Sequence, residues 1–423
     1  MNIWLIQDGE PLPFIDAGAR EMRCCTLAKE LAAKGHDVLW WASTFDYSRK
    51  KHYFYGPTTL EVSANLRLRL LHGPGYLTNQ SLKRYLHQRA IASAFASEAG
   101  ALTPPDLIVG NIPFPELAEQ AVLLGKKWSI PVVVFVEDCW PDIYLSMFPG
   151  FLRSAVRLLF RTEFQRIKRV FSLATSIIAV SNTYLSWALN YAGRSKSDKD
   201  EMLPLGYPSP IQTENRSPGE SILSKLHIPS DQMLVTFVGG FGYSYDLETV
   251  VKAAKVLDSL GVKGVQFLLV GDGDQGLALR AMARGLNNLK FSGWLDQGSI
   301  HAVLGVSSVA IAAYHERATQ TLPYKPFEYM AAGLPIISSL KGELSDLIET
   351  EKIGVCYRSG DVDSLVSMIQ WLLAHPEARL QMGQRSRRLF NEQFSAEVIY
   401  PRAVKHLENI VAAYKGLGEQ NAK

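Results

Sequence analysis

The sequence predicts an α/β protein of two doubly wound, Rossmann-like domains facing each other across a cleft. Its 423 residues exceed one ordinary core and suit two domains of about 200 residues each. The order strand, loop, helix, glycine, strand recurs in both halves, which argues for βαβ units and parallel sheets. A polar break near residues 193–230 separates the halves.

The first half opens on the apolar run Ile3 to Ile6, followed by a polar loop with Gly9, Pro11, Pro13 and Gly18. From about Arg20 to Lys34 a helical period places Cys24, Leu27, Leu31 and Ala32 on one face, and Gly35 ends it. Asp37 to Trp41 restarts as a strand and completes a βαβ unit. Strands are expected at Asp106 to Gly110, Pro131 to Val136 and Ile177 to Val180, with helices at Pro115 to Lys127 and Asn182 to Ala192. The near-continuous apolar run up to Val136 suits a strand covered on both faces. Gly193 to Asp200 is charged and Leu205 to Ser230 is rich in Gly, Pro and Ser, so the linker is placed there.

The second half repeats the pattern. Strands are expected at Leu234 to Val238, Gln266 to Val270, Lys290 to Ser292, Val309 to Ala313 and Pro335 to Ser338. Helices alternate with them at Leu247 to Leu260, Leu277 to Gly285, Ser299 to Gly305 and Pro326 to Ala332. Helices near Val362 to Ala374, Pro376 to Asn391 and Ala396 to Lys415 close the chain. The expected domains are 1–205 and 206–395, with a helix and tail at 396–423 crossing back to the first.

Hydrophobic residues make up 47% and charged residues 20%, enough for a large core and unlike a disordered chain. The net charge of +3 is no basic footprint, so no nucleic-acid partner is expected. Cys24, Cys25, Cys139 and Cys356 show no metal-ligand spacing and read as small buried residues in a reducing compartment. The opening MNIWLIQDGEP has no basic leader and meets acids at once, unlike a signal peptide. No apolar stretch approaches the roughly 18 residues that span a bilayer. A cytoplasmic protein is expected, meeting the inner face of the membrane peripherally.

The most informative segment runs from Gln320 to Pro335. Pro326 suits a first helical position and Gly333 a helix end. The helix start then follows the loop after the Val309 strand, where free N–H groups and the dipole favour an anion such as a diphosphate. Lys325, one residue ahead of that helix, adds positive charge. Glu328, in the expected first turn, either accepts hydrogen bonds from ribose hydroxyls or complements the helix dipole.

Here the chain resembles a known family. FEYMAAGLPII is similar to the donor-site motif of glycosyltransferase family 4, within the two-domain GT-B fold. VTFVGGFGYSYDLETVVKAA, FLLVGDGD and LKFSGW in the second half follow the family's order. So do LAKELAAKGHDVLWW, PVVVFVEDCWPDIY, SIIAVSNTY and MLPLGY in the first, and the resemblance covers nearly the whole chain. The most similar subgroup makes bacterial surface polysaccharides, such as the O-antigen of lipopolysaccharide or capsule.

The resemblance implies a retaining hexosyl- or N-acetylhexosaminyltransferase. Its first domain would bind a lipid-linked or saccharide acceptor and its second a nucleotide-sugar donor, a UDP-sugar in the leading reading. It implies no metal and no other cofactor. By position, Glu328 is the ribose-binding carboxylate, and Thr321 and Leu322 are backbone donors to the diphosphate. Trp294 is the residue whose backbone meets the nucleobase, and Gly239, Gly240 and Gly271 permit close approach. Two departures matter. Gln320 replaces the first glutamate of the family's Glu-x7-Glu pattern, with Glu316 nearby. Phe241 to Tyr245 lacks the usual Arg and Lys, which leaves Lys325 to supply the charge.

In the first half Glu137 aligns with a histidine of many relatives and Asp138 with the acid that follows it. With Gln320 and Glu328 these are the candidate catalytic residues. Asp138 reads also as a turn-forming residue before Trp-Pro. Asp8, Gly9 and Glu10, in the first strand-end loop, are expected on the acceptor side. Arg20 and Arg23 either reach a phosphate or face solvent. Phe148 to Phe171 pairs Arg153, Arg157 and Arg161 with an apolar stripe, which fits an anionic membrane surface or an ordinary packed helix. Leu66 to Arg89, basic and carrying Tyr76 and Tyr85, is expected to flank the acceptor.

Gly271 to Gly276 fits G-x-G-x-x-G, but Asp272 and Asp274 would repel a pyrophosphate, and the motif lies on the second strand of its domain. A nicotinamide dehydrogenase is disfavoured accordingly. The alternatives are a sugar-nucleotide epimerase of the same fold and a non-enzymatic membrane scaffold; Glu328, Lys325 and Gly333 speak against the scaffold.

Overall fold

The computed structural model describes residues 1–16, 19–78, 81–146, 148–209 and 217–421; Gly18 and residues 210–216 of the expected linker lie outside the described residues. The chain forms two compact units, Met1–Pro204 with Ile399–Lys423, and Leu205–Val398.

The first unit contains β1 (Asn2–Ile6), α1 (Arg23–Ala33), β2 (Asp37–Ser43), the hairpin strands β3 (Phe45–Asp46) and β4 (Lys51–His52), β5 (Thr58–Ser63), β6 (Leu66–Leu71) and α2 (Leu82–Ala99). It continues with β7 (Leu107–Ile112), α3 (Pro115–Trp128), β8 (Val132–Val136), α4 (Asp142–Ser146), α5 (Arg153–Leu159), α6 (Arg161–Leu173), β9 (Ser176–Ala179), α7 (Asn182–Ala192) and β10 (Glu201–Met202). The sheet order is β10-β9-β8-β7-β1-β2-β6-β5, and only β5 runs antiparallel to its neighbour. Every residue of β7 and β8 is buried, as central strands covered on both faces require. Strand order reverses at β1, so the loops after β1 and β7 meet at the carboxyl edge of the sheet, the usual place for a ligand.

Two expectations change here. Gly193 to Asp200 is a tied loop rather than a linker: the buried Asp200 carboxylate accepts bonds from Arg194 (2.7 Å) and from the Ser197 and Ile177 N–H groups (2.9 Å each). Phe148 to Phe171 is not one amphipathic helix. It breaks into a 3-10 turn at Gly150–Leu152, α5 and α6. Phe164, Ile167, Val170 and Phe171 of α6 are buried, whereas Leu152, Leu158 and Leu159 lie exposed.

The second unit contains α8 (Ser217–Lys225), β11 (Met233–Val238), α9 (Leu247–Ser259), β12 (Val265–Val270), α10 (Gly276–Met282), β13 (Leu289–Gly293), α11 (Gln297–Val306), β14 (Val309–Ala312), α12 (Tyr324–Ala331), β15 (Ile336–Ser338), α13 (Glu343–Glu351), β16 (Gly354–Cys356), α14 (Val362–Ala374) and α15 (Pro376–Leu389). Its sheet, β13-β12-β11-β14-β15-β16, is parallel throughout. Tyr207, within the expected linker, is fully buried in this unit's core, and α8 follows it. The last helix, α16 (Ala396–Asn421), starts in the second unit and from Ile399 belongs to the first. Cys24 and Cys25 are buried, but Cys139 and Cys356 are only partly so; all four are free.

Candidate active site

In the second unit three neighbouring strands turn on glycine at their carboxyl ends. β11 runs into Gly239 (φ 143°), β12 into Gly271 (φ 126°), and β13 ends at Gly293 (φ 73°). Their backbones pack directly: Gly239 N–H donates to the Val270 carbonyl (2.9 Å) and Gly271 N–H to the Gly293 carbonyl (2.8 Å). A Cβ on Gly271 would stand 2.1 Å from the Gly239 carbonyl oxygen, so a side chain is sterically forbidden. A Cβ on Gly239 would stand 1.7 Å from Lys325 Nζ. The ammonium therefore fills the space the glycine leaves, 5.3 Å from the Phe237 ring centre and 4.9 Å from that of Tyr245. Beside Gly240 lies Trp294, whose side chain is 70% exposed; a Cβ on that glycine would meet the indole edge at 3.8 Å.

Helix α12 delivers the lysine. It begins at Tyr324, so Lys325 lies inside its first turn rather than ahead of it, and Pro326 is its third residue rather than its first. The proline still costs nothing, since the first four N–H groups of a helix have no internal partner. Glu328 falls in the second turn and is buried, which removes the basis for reading it as a complement to the dipole. Its Oε1 accepts the Tyr207 hydroxyl at 2.7 Å, and that hydroxyl also meets His301 Nε2 at 2.7 Å. Tyr329 pins α12 to β11: the Val238 N–H donates to its hydroxyl at 3.1 Å. Gln320, in the loop before the helix, keeps a buried Oε1 with no hydrogen-bond partner. Glu316 is exposed and pairs with Lys341 (3.6 Å), so in this structure it does not take the place of the missing glutamate. Thr321 and the buried Leu322 directly precede the Pro323 cap.

In the first unit a cavity of about 280 Å³ gathers Asp8, Gly9, Glu10, Tyr76, Arg84, His87 and Glu137. Asp8 is buried and accepts the Ser43 N–H (3.1 Å). Glu10 reaches back to the start of α1 and accepts the Cys24 N–H through both oxygens (3.0 and 3.1 Å), so the loop acid caps the helix. Burial pushes the Glu10 carboxyl above its ordinary range, against the pull of the Arg23 guanidinium. Arg23 itself is buried, ion-pairs with Glu137 and sits 4.3 Å over the Phe135 ring, so it neither faces solvent nor stands available for a phosphate. Gly9 (φ 76°) is required because a Cβ would fall 2.4 Å from the Phe114 ring. Asp138 does not line this cavity; its carboxylate turns back onto the Cys139 N–H (2.7 Å), and burial raises it. Among the described residues no group of three or more His, Cys, Asp or Glu side chains is placed to hold a metal ion.

Comparison with known proteins bears on both units. A model of "Glycosyltransferase Family 4" matches residues 21–206, and one of "Glycosyl transferases group 1" matches residues 220–389. The chain belongs to the glycosyltransferases. It is 26% identical to the sulfoquinovosyl transferase of Arabidopsis thaliana over 71% of this chain and 59% of that protein. It is 24% identical to O-antigen chain mannosyltransferase C of Escherichia coli, over 54% and 59%. The chain thus spans under two thirds of the length of these curated relatives. HepE of Anabaena, solved in complex with UDP, covers 97% of this chain and is itself covered completely, at 15% identity and a TM-score of 0.66; that likeness speaks for the GT-B fold alone.

The sequence-derived residues fall into two groups. Gly239, Gly240, Gly271, Trp294, Gln320, Thr321, Leu322, Lys325 and Glu328 belong to the second unit, and Asp8, Gly9, Glu10 and Glu137 meet at one cavity of the first. Sequence reading missed Tyr207 and His301 beside Glu328; Arg84 and His87 in the cavity fall within the Leu66 to Arg89 stretch expected to flank the acceptor, without being individually marked. Tyr207 closes the MLPLGY motif and was therefore detectable. His301 lies mid-helix with no signal beyond its residue type.

Proposed function

We propose that the chain transfers a sugar from a nucleotide-sugar, a UDP-sugar first, to a lipid-linked or saccharide acceptor in bacterial surface polysaccharide synthesis, with retention of anomeric configuration. The observation that carries this is the Lys325 ammonium seated where Gly239 lacks a side chain, at the start of α12. In the reaction, the bond between the anomeric carbon and the donor diphosphate breaks while the acceptor oxygen bonds to that carbon. The acceptor's proton leaves with the diphosphate. Charge grows on the departing oxygens, and the first-turn N–H groups of α12 with Lys325 stabilise it. No metal is needed for that step. Glu328 holds the ribose, Gln320 offers its unpartnered Oε1 to a hydroxyl of the transferred sugar, and the Trp294 backbone meets the base. Glu137, Asp8, Gly9 and Glu10, which line the first unit's cavity, serve the acceptor side. UDP is favoured because HepE is described in complex with it, and a polysaccharide acceptor because one relative is an O-antigen mannosyltransferase.

The membrane partner belongs to the same reading. Among the described residues no helix is long and apolar enough to cross a bilayer. The 148–161 segment instead offers Phe151 (83% exposed), Leu158 (70%) and Leu159 (79%) beside Arg153, Arg157 and Arg161, a peripheral anchor for anionic lipid.

A thermal-shift screen of UDP-, GDP- and dTDP-sugars tests the donor, with UDP-sugars expected to stabilise most. Product formation from donor and membrane extract should proceed with a chelator present. It should fall at least ~100-fold in Glu328→Gln, which keeps an acceptor for Tyr207 but loses the charge. Full activity in Glu328→Gln would overturn the assignment.

A further inference from the structure

The Glu328 carboxylate ends a short chain of polar groups drawn from three parts of the second unit: Glu328 on α12, Tyr207 near the unit's start, and His301 on α11. The direction of that chain follows from its protons. A tyrosine hydroxyl carries one, and a carboxylate has none to give. The Tyr207 hydroxyl therefore donates to Glu328 Oε1 (2.7 Å), and its oxygen accepts from the Nε2–H of His301 (2.7 Å). Hydrogen bonds aligned in one direction polarise one another, so the histidine strengthens the bond the tyrosine makes.

Tyr207 is held for reasons of its own. It is fully buried. Its N–H donates to the Phe394 carbonyl (3.1 Å), and its carbonyl accepts the Ala396 N–H (2.8 Å). Its ring meets those of Tyr324 at 5.3 Å and His301 at 6.1 Å, both edge-on. The Tyr324 hydroxyl donates to the neighbouring Gly206 carbonyl (3.3 Å). The Tyr207 hydroxyl is thus a fixed point. The last torsion of a glutamate, by contrast, has a broad well and turns easily. Tying Oε1 to a fixed point stops that rotation and sets where Oε2 points. A buried carboxylate needs a donor; a rigid donor backed by a second one is what an oriented carboxylate needs.

We propose that Tyr207 and His301 are positioning residues, which lock Glu328 at one rotation so that it selects the two adjacent hydroxyls of a ribose. A carboxylate held this way offers its accepting directions at fixed places, and a sugar lacking one hydroxyl leaves one of them unpaired. The donor class is then a ribonucleoside diphosphate sugar, in preference to a 2′-deoxyribonucleoside one. This positioning role rests on Glu328 being the ribose-binding carboxylate.

Titration calorimetry with UDP and 2′-deoxyuridine diphosphate, which differ by one hydroxyl, tests it. The wild type should prefer UDP ~10–100-fold, the worth of a hydrogen bond to a charged group. Tyr207→Phe keeps the ring and removes only the oxygen. It should bring the preference to within ~3-fold by weakening UDP while leaving the deoxy ligand unchanged. His301→Leu should lower the preference too, and His301→Gln should restore it, because the glutamine amide can donate from where Nε2 stands. A merely structural role would lower the melting temperature and weaken both ligands alike. That result, a full preference in Tyr207→Phe, or equal loss in His301→Leu and His301→Gln, would overturn the inference. Glu328→Gln separates the two readings. If it loses the preference while Tyr207→Phe keeps it, only the positioning role fails. If Glu328→Gln keeps the preference, or the wild type shows none, the ribose reading fails and the positioning role with it.

Discussion

Lys325 and Gly239 are complementary in shape, and each explains the other. A side chain at 239 would collide with the ammonium, and its φ of 143° already disfavours any residue but glycine. Gly239→Ala and Lys325→Ala are therefore expected to damage the same interaction. Losing a hydrogen bond to a charged group costs ~1.5–3 kcal/mol, so UDP affinity should fall ~10–100-fold in either variant. The double variant should bind little worse than the weaker single one, because the alanine acts by displacing the lysine. Titration calorimetry of UDP measures all three. Independent, additive losses would show that Gly239 acts on the nucleotide directly and not through Lys325.

Elements are held by longer-range charge, most clearly where α6 meets α3. Arg166 reaches Glu116 (3.3 Å), Glu119 (3.0 Å) and Glu163, and Arg169 also pairs with Glu119. Three carboxylates thus share two guanidiniums in a largely buried place. Burial first, then the neighbouring Glu163, pushes the Glu116 carboxyl up to about 7, against Arg166. The folded chain consequently binds this proton more tightly than the unfolded chain, whose ordinary value is 4.5. The contribution is fully present below pH 4.5 and is lost as pH rises through 7. Glu116→Gln removes that loss, so its stability relative to wild type should improve between pH 5 and pH 8 by ~1–3 kcal/mol. Urea unfolding at both values checks it; a gap that does not change with pH would refute the raised Glu116 carboxyl. At this scale the sequence was readable where one period dominated. The β7 and β8 runs and helices α7 and α14 stand where their apolar spacing placed them. In β6, Leu66, Leu68 and Leu70 alternate with Arg67 and Arg69 at strand period, but two arginines in six residues give the segment the look of a basic surface stretch and mask the strand. The α12 start was misplaced by two residues because proline is tolerated anywhere in the first turn and does not mark its first position alone.

At the scale of the whole molecule, the chain's last helix completes its first unit. Ile399, Tyr400, Val404, Leu407, Ile410 and Val411 are each no more than 3% exposed. Polar ties set the register: Arg402 pairs with Glu201, His36 meets Glu408 (3.2 Å), and Lys415 meets Asp106 (2.8 Å). The apolar period of α16 was visible in the sequence, but the partners of Glu408 and Lys415 lie hundreds of residues away, and no local pattern encodes them. Burying such side chains stabilises by ~1.5–3 kcal/mol each, so their sum is comparable to the ~5–15 kcal/mol that holds a typical domain together. A chain ending at Val398 should therefore lose the cooperative unfolding transition of the first unit. Residues 205–398, which carry Lys325 and Glu328, should keep a transition that UDP still raises. Leu407→Ala should reproduce the effect in milder form, lowering the first unit's stability by ~2–5 kcal/mol without moving the UDP-sensitive transition. Differential scanning calorimetry with and without UDP separates the two transitions. If the shortened chain retained both, α16 would be an appendage of the first unit and not part of its core.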